Sequence, residues 1–326
     1  MKKPAARIAI LFLLFILFAA PSMNFDVMLP ASISFPSYIR SVAMIDRSIP
    51  DDNVEDVIER GLTGELFGED KRATQIVMDG IHSIMGNSPT LGFIRTQETL
   101  KGGSAIIATF PDPLPWEKIE QLCTKYEADA IMAIEVFDSD FIMIPGKGQM
   151  VNVKVGIRMY DPVGKNIIDQ YNFTHQSPIR EAGRSIGAII GNFLDKTAEI
   201  RDASYDAGLI YGRRISPSWY SVSRKYYRRS KGDDNLAIGA RMMEVNDWAT
   251  AKSSLQQAVD TGKRKTRGRA AHNMAVVYEI EGNLLEAKSW AQTAWGNYKN
   301  KKSRDYLYDL NYRINQKQIL QQQLEQ

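Results

Sequence analysis

The chain has 326 residues, 44% hydrophobic and 24% charged, a composition that excludes wholesale disorder and a length that allows two domains. Its single cysteine, Cys123, excludes an intramolecular disulfide, and its helical spacing predicts a small buried side chain. Lys2, Lys3 and Arg7 account for the whole net charge of +3. The rest of the chain therefore lacks the general basicity on which nucleic-acid binding depends.

The amino terminus predicts an export signal. Basic residues precede an uninterrupted apolar run from Ile8 to Ala20, and small residues follow it. We expect cleavage after Ser22, so that residues 1–22 form a signal peptide and the protein is exported to the periplasm or cell envelope. Because the run is short for a membrane span, an uncleaved membrane anchor is the alternative. No cysteine follows the run, so the sequence itself does not predict a lipoprotein.

Residues 23–215 predict an α/β domain. Strand and helix patterns follow one another in the order β-α-β-α-β-β-β-α, which indicates a small mixed sheet with helices packed against it. The segment "DPVG" at Asp161–Gly164 has the composition of a hairpin turn. The last helix is expected from about Pro178 to Arg213. Its glycines predict a face for close packing within the domain, with a homo-oligomer contact as the alternative: Gly183, Gly187 and Gly191.

Residues 233–326 predict helices only, and they contain an internal repeat. The two copies are offset by 36 residues, and the aligned pairs are Asn246 with Gly282, Ala251 with Ala287, Leu255 with Ala291, and Ala258 with Ala294. With Ala275 and Tyr278, the second copy resembles a tetratricopeptide repeat. The predicted fold class is therefore α+β, a small mixed-sheet α/β sandwich followed by an all-α tetratricopeptide-like helical domain.

The resemblance to tetratricopeptide repeats implies a concave groove that binds a protein partner. By the spacing of the repeat, four side chains would project into this groove: Arg269, His272, Val276 and Glu279. Four more would lie at its rim: Lys263, Arg264, Lys265 and Arg267. The alternative is a solvated loop beside a purely structural repeat.

The first domain has a wider resemblance. "IRSVAMIDRS", followed by helices and then "KYEADAIMAIEVFDSDF", resembles the small α/β domain at the start of TolB and in the curli-secretion channel lipoproteins. With "GRRISPSWYSVSRKYYRRS" and the helical repeats, the chain resembles an uncharacterised family of Bacteroidota envelope proteins, a domain of unknown function. The resemblance implies an envelope protein and supplies no catalytic residues.

The sequence shows no constellation that predicts catalysis or cofactor binding. His82, His175 and His272 fall in three different predicted elements, without carboxylates or cysteines at ligand spacing, so we predict no metal site. Phosphate-binding and dinucleotide-binding glycine motifs and the nucleophile elbow are absent from the sequence. We therefore predict a protein that is not an enzyme and has no cofactor.

The two halves of the chain differ in charge. Residues 23–212 carry 17 Lys+Arg against 27 Asp+Glu, a net charge of −10, and residues 213–326 carry 21 against 11, a net charge of +10. We expect the halves to attract each other, or the basic half to contact an anionic membrane peripherally or an acidic partner.

The segment "SPSWYSVSRKYYRRS" at Ser216–Ser230 has the composition of a nucleic-acid-binding surface, yet we predict no nucleic acid as partner. Instead, residues 216–232 are predicted to form an interdomain segment. Three of its side chains would be buried between the sheet and the repeats: Trp219, Val222 and Tyr226. Three would face the acidic domain: Arg224, Arg228 and Arg229.

These patterns favour a non-enzymatic exported envelope protein that binds a protein partner or scaffolds an assembly through its helical repeats. One alternative is a subunit of an oligomeric export or channel structure built through the α/β domain. A second alternative is an enzyme that acts on cell-wall or lipid substrates.

Overall fold

The computed structural model describes residues 21–50, 67–103, 109–145, 148–179 and 188–325. In chain order the described elements are β1 (Ser22–Leu29), β2 (Ser41–Pro50), α1 (Phe67–Met85), β3 (Gly92–Gly103), α2 (Trp116–Tyr126), β4 (Ala130–Ile144), β5 (Gly148–Asp161), β6 (Asn166–Pro178), α3 (Ala188–Ile215), β7 (Ser218–Lys225), α4 (Asp234–Glu244), α5 (Trp248–Thr261), α6 (Arg264–Ile280), α7 (Leu284–Gly296) and α8 (Lys301–Leu324).

The chain divides into two compact units. The α/β unit comprises Pro30–Ser218 with the end of the chain from Gln322, and the helical unit comprises Trp219–Gln321 with the described residues up to Leu29. The division falls inside the predicted interdomain segment. At the amino-terminal end, β1 pairs with β7 in a two-stranded sheet and is grouped with the helical unit, and at the other end the residues from Gln322 are grouped with the α/β unit.

The α/β unit contains a five-stranded sheet with the strand order β3-β2-β4-β5-β6. β2 runs parallel to β3 and β4, whereas β4, β5 and β6 are antiparallel neighbours. The predicted order of strands and helices is thus confirmed for this unit. The predicted turn is confirmed too, because the Asp161 carboxylate accepts hydrogen bonds from the backbone N–H groups of Val163 (3.0 Å) and Gly164 (2.9 Å).

Both faces of the sheet are covered by helices. On β2, Val42 and Met44 belong to the core shared with α1 and α3, and Ala43 and Ile45 belong to the core shared with α2. This double burial explains why the strand sequences are continuously apolar. Cys123 of α2 is buried as predicted, and burial raises the pKa of its thiol to about 11, so the reactive thiolate is not populated near neutral pH.

Two glycines allow α1 and α3 to approach backbone to backbone. A Cβ atom on Gly208 would lie 2.2 Å from the carbonyl oxygen of Val77, and one on Gly80 would lie 2.2 Å from that of Tyr205. Any side chain at either position would therefore push the helices apart. Gly183 and Gly187 of the predicted glycine face lie outside the described residues, so close packing at Gly183, Gly187 and Gly191 stays a prediction.

A buried carboxylate links three strands and a loop of the α/β unit. Glu135 on β4 accepts hydrogen bonds from Arg47 (3.0 Å), Arg158 (2.8 Å) and the hydroxyl of Tyr160 (2.6 Å). The same two arginines also donate to the carbonyl oxygens of residues 111 and 112. Burial and the negative charge of Glu135 raise the pKa of Tyr160 to about 12. Both carboxylate oxygens of Glu135 are therefore paired inside the α/β unit.

Besides the β1–β7 sheet, the helical unit contains two helical hairpins, α4–α5 and α6–α7, followed by α8. The turns within the hairpins repeat at the predicted offset: Asn246 (φ 60°) and Gly282 (φ 79°) are both left-handed, and Asp247 and Asn283 both cap the following helix. The aligned core positions are buried in both copies: Ala251, Leu255, Ala258, Ala287, Ala291 and Ala294. The internal repeat is therefore present in the structure. No helix in the described ranges is long and apolar enough to cross a membrane.

Candidate functional site: the face of α6 and the cleft beside it

The face of α6 that was predicted to line an open groove is partly covered by the chain itself. His272, Val276 and Glu279 are almost completely buried, although His272 and Val276 border an open cleft of about 410 Å³ between the end of β7 and α8, so a partner groove at these positions stays a prediction. The covering segment is Arg224–Ser230, hereafter the strap, which leaves the end of β7 and follows α6. The predicted positions lie on one face of α6, and the strap of the same chain packs against that face.

His272 binds the beginning of the strap, at Lys225. Its Nε2 atom lies 2.9 Å from the carbonyl oxygen of Lys225, which can only accept, so Nε2 carries the proton and donates. Nδ1 then accepts from the hydroxyl of Ser303 at 2.9 Å. Burial, with a smaller contribution from the positive charge of Lys302, lowers the pKa of His272 to about 4. The imidazole is therefore a neutral structural group at physiological pH.

Asn273 holds the strap by its backbone. The side-chain oxygen of Asn273 accepts from the N–H of Tyr227 (2.9 Å), and its amide nitrogen donates to the carbonyl oxygen of the same residue (2.8 Å). Because both bonds go to main-chain atoms, this contact holds an extended chain with little dependence on its side chains. The α6 face thus has the chemistry of an extended-segment binding surface.

Glu279 anchors the beginning of the strap. Its carboxylate receives two hydrogen bonds from Arg224 (2.8 and 3.0 Å), one from Arg313 (2.8 Å) and one from the hydroxyl of Tyr306. Arg224 also lies 3.7 Å from Asp309. A buried carboxylate of the helical unit thus satisfies the guanidinium of Arg224, and the orientation of Arg224 toward the acidic domain stays a prediction.

The remaining residues of the predicted interdomain segment differ in burial. Trp219 is 63% exposed, so its predicted burial is wrong, since the solvent-facing side of the β1–β7 sheet carries it. Tyr226 is buried as predicted, but in the core of the helical unit, where its hydroxyl bonds to Glu244. Arg228 pairs with the same carboxylate at 2.9 Å, and Arg229 is exposed. An interdomain role for this segment stays a prediction.

Beside the strap, an open cleft lies between the beginning of α6 and the beginning of α8. It has a volume of about 400 Å³, and we call it the basic cleft. Its lining contains five cationic side chains and two tyrosines: Arg264, Lys265, Arg269, Lys299, Lys301, Tyr227 and Tyr298. None of its described lining residues is acidic, so its electrostatic potential favours an anionic ligand.

Only some of the residues predicted for the groove and its rim meet in the basic cleft. Arg269 lines it, with its guanidinium 5.1 Å from the ring centre of Tyr227. Arg264 and Lys265 line it as well, whereas Lys263 is exposed outside the lining. Arg267 instead donates to the carbonyl oxygens of Asp260 and Gly262 at the end of α5. The cations on the α7–α8 connection were missed, although the segment "NYKNKK" that carries them is visibly basic.

The histidines do not converge. His82 is exposed against Phe93, His175 lies 3.8 Å from Asp206, and His272 is buried under the strap. The described residues contain no group of three histidine, cysteine, aspartate or glutamate side chains that could hold a metal ion. In the described part of the chain, the three histidines therefore do not form a common site.

Two family models match the chain. Residues 39–227 match a family described as Domain of unknown function (DUF8603), and residues 237–318 match Domain of unknown function (DUF6340). No curated protein shows significant sequence similarity to the chain.

Similar solved structures include proteins of several bacteria. The PelC dodecamer from Paraburkholderia phytofirmans is 8% identical, with a TM-score of 0.29 over 60% of this chain and 98% of that chain. The hypothetical protein CT253 from Chlamydia trachomatis is 13% identical, with a TM-score of 0.30 over 53% and 96%. A minor lipoprotein from Acinetobacter baumannii is 7% identical, with a TM-score of 0.27 over 56% and 98%.

Proposed function

The chain belongs to the family described as Domain of unknown function (DUF8603), and from that premise we propose that it is a non-enzymatic exported envelope protein that docks a protein partner on its helical unit. The observation that carries the proposal is the basic cleft, an open concavity of about 400 Å³ beside a helix face that already holds an extended segment. Concavities of this volume are typical of ligand sites. The tetratricopeptide-like spacing of the two hairpins supports a docking role.

A non-catalytic role is supported by the arrangement of the buried ionisable groups. Glu135 and Glu279 are each enclosed by two arginines and a tyrosine, which leaves neither carboxylate open to a substrate. The lining of the basic cleft contains no histidine, cysteine or carboxylate among its described residues. The export pattern at the amino terminus supports a location in the periplasm or envelope.

Site-specific photocrosslinking in living cells tests this function. A photoreactive amino acid would replace Tyr298 or Lys265 in the basic cleft, and in control proteins it would replace Val163 or Tyr312, which are exposed elsewhere. We expect a discrete crosslinked product from the cleft positions and none from the controls. Absence of a product from the cleft positions, or equal products from all four, would contradict a docking role for the cleft. A product of twice the chain's mass would support the oligomeric alternative.

A further inference from the structure

The cations of the basic cleft lack acidic partners. Arg264, Lys265 and Arg269 come from the first turns of α6, Lys299 comes from the α7–α8 connection, and Lys301 is the first residue of α8. None of the five forms an ion pair with a carboxylate in the described part of the chain. Elsewhere in the helical unit, arginines such as Arg224 and Arg228 are paired with glutamates. The positive charge of the cleft is therefore concentrated and uncompensated.

Neighbouring groups increase this positive potential. Lys302 follows the cleft on α8 and lies 4.7 Å from the ring centre of Tyr227, so this ring has both Lys302 and Arg269 near it. Burial, together with repulsion from Lys225 and Arg269, lowers the pKa of Lys302. Like charges held this close destabilise the unit, and an anion bound among them would relieve the repulsion.

The shape of the cleft distinguishes between anionic partners. A membrane surface is flat on this scale and cannot fill a concavity of about 400 Å³, whereas carboxylate side chains on an extended chain can enter it. Tyr227 belongs both to the strap and to the lining of the cleft, so a second extended segment could lie alongside the strap. Arginine forks suit bidentate pairing with carboxylates.

We propose that the basic cleft binds a glutamate- and aspartate-rich extended segment of the protein partner. This proposal rests on the docking function proposed above and specifies the chemistry of its ligand. Carboxylates of the segment would pair with Arg264, Lys265, Lys299 and Lys301, and the rings of Tyr227 and Tyr298 would pack against its apolar atoms.

The test measures binding of purified full-length protein to three probes. The first is a short fluorescent peptide of alternating glutamate and serine, the second is its glutamine counterpart, and the third is a vesicle of phosphatidylglycerol and phosphatidylcholine. We expect saturable binding of the glutamate peptide, which weakens as salt is raised, and no measurable binding of the glutamine peptide.

Two variants with the same change in charge locate the binding site. The cleft variant combines Lys265→Gln, Lys299→Gln and Lys301→Gln, and the control variant combines Arg241→Gln, Lys288→Gln and Lys317→Gln, which lie in the helical unit outside the lining of the cleft. Each exposed charge pair contributes little by itself, but the cleft variant removes three pairs at once, so we expect it to bind the glutamate peptide about ten-fold or more weakly. The control variant removes charges that do not contact the peptide, so we expect its Kd to change by less than about three-fold. Unchanged thermal unfolding of both variants shows that folding is intact.

Three results would overturn this proposal. They are an equal loss of affinity in both variants, cleft-dependent binding of the vesicles without binding of the peptide, and absence of peptide binding to the wild-type protein. Photocrosslinking in cells separates this failure from failure of the docking function. If cleft positions crosslink a partner while the glutamate peptide does not bind, docking stands and the acidic ligand is wrong.

Discussion

His272 makes the stability of the helical unit depend on pH. In the folded protein, burial holds the pKa of His272 at about 4, whereas an unperturbed histidine has a value of 6.5. Of the charged groups that line the cleft beside His272, Arg224, Lys225 and Lys302 are cationic and Asp305 and Asp309 are anionic, and the positive charge of Lys302 adds to the effect of burial. Because the folded-state pKa is the lower one, the unfolded chain binds more protons as pH falls through 6.5. The free energy of unfolding therefore decreases between pH 6.5 and about 4, and this contribution is constant below that range.

The size of the effect follows from the two pKa values. Their difference, 6.5 minus about 4, corresponds to at most ~3.4 kcal/mol, a limit that is reached below about pH 4, where His272 is protonated in both the folded and the unfolded state. Between about pH 7.5 and about pH 5, linkage predicts a loss of ~2 kcal/mol from this residue alone. A loss of this size is a large fraction of the stability of a typical domain.

The assay is urea unfolding of the wild-type protein and of His272→Gln at both pH values, followed by tryptophan fluorescence. Subtracting the pH dependence of the variant from that of the wild type cancels the contributions of other titrating groups. We expect the wild type to lose ~2 kcal/mol more than the variant on acidification. Equal pH dependence in both proteins, or an NMR titration that places the folded-state pKa of His272 above 6, would refute the reasoning.

Three further predictions concern packing and buried polar groups. Glu135→Ala should lower the free energy of unfolding by about 3–5 kcal/mol, because it leaves two buried arginines unpaired, and a loss within 1 kcal/mol by urea unfolding would contradict this role. Gly208→Ala should destabilise by about 1–3 kcal/mol, since its Cβ would meet a carbonyl oxygen of α1, whereas Gly296→Ala on α7, which has open space, should be neutral or stabilising in calorimetric melting. Asn273→Ala should increase hydrogen exchange at Tyr227, and unchanged exchange there would show that other contacts hold the strap.

The features that the sequence predicted are those with a local signal. The order of elements from β2 to α3 follows from strand and helix periodicities, and the hairpin turn follows from proline and glycine at Asp161–Gly164. The repeat is visible because Asn246 and Gly282 occupy equivalent turns with a left-handed backbone conformation. Each of these patterns is contained within a few neighbouring residues, so no distant partner is needed to recognise it.

The features that were missed depend on partners distant in the sequence. Pairing of β1 with β7 joins the beginning of the described chain to Ser218–Lys225, and periodicity contains no information about that pairing. The spacing of the repeat places His272 and Glu279 on one face of α6, but it does not show that the strap covers this face. Only part of the basic cleft was predicted. Arg264 and Lys265 were assigned to the rim of the predicted groove, whereas the cations after α7 come from a segment to which no function was assigned.

The central claim is that a protein partner docks in the basic cleft, and quantitative affinity purification from crosslinked envelopes tests it most directly. The wild-type protein would be compared with a cleft variant (Lys265→Glu, Lys299→Glu and Lys301→Glu) and a control variant of equal charge (Arg241→Glu, Lys288→Glu and Lys317→Glu). We predict that one protein rich in acidic segments is enriched with the wild type and the control variant and is lost with the cleft variant. Equal recovery of every captured protein with all three would contradict the claim.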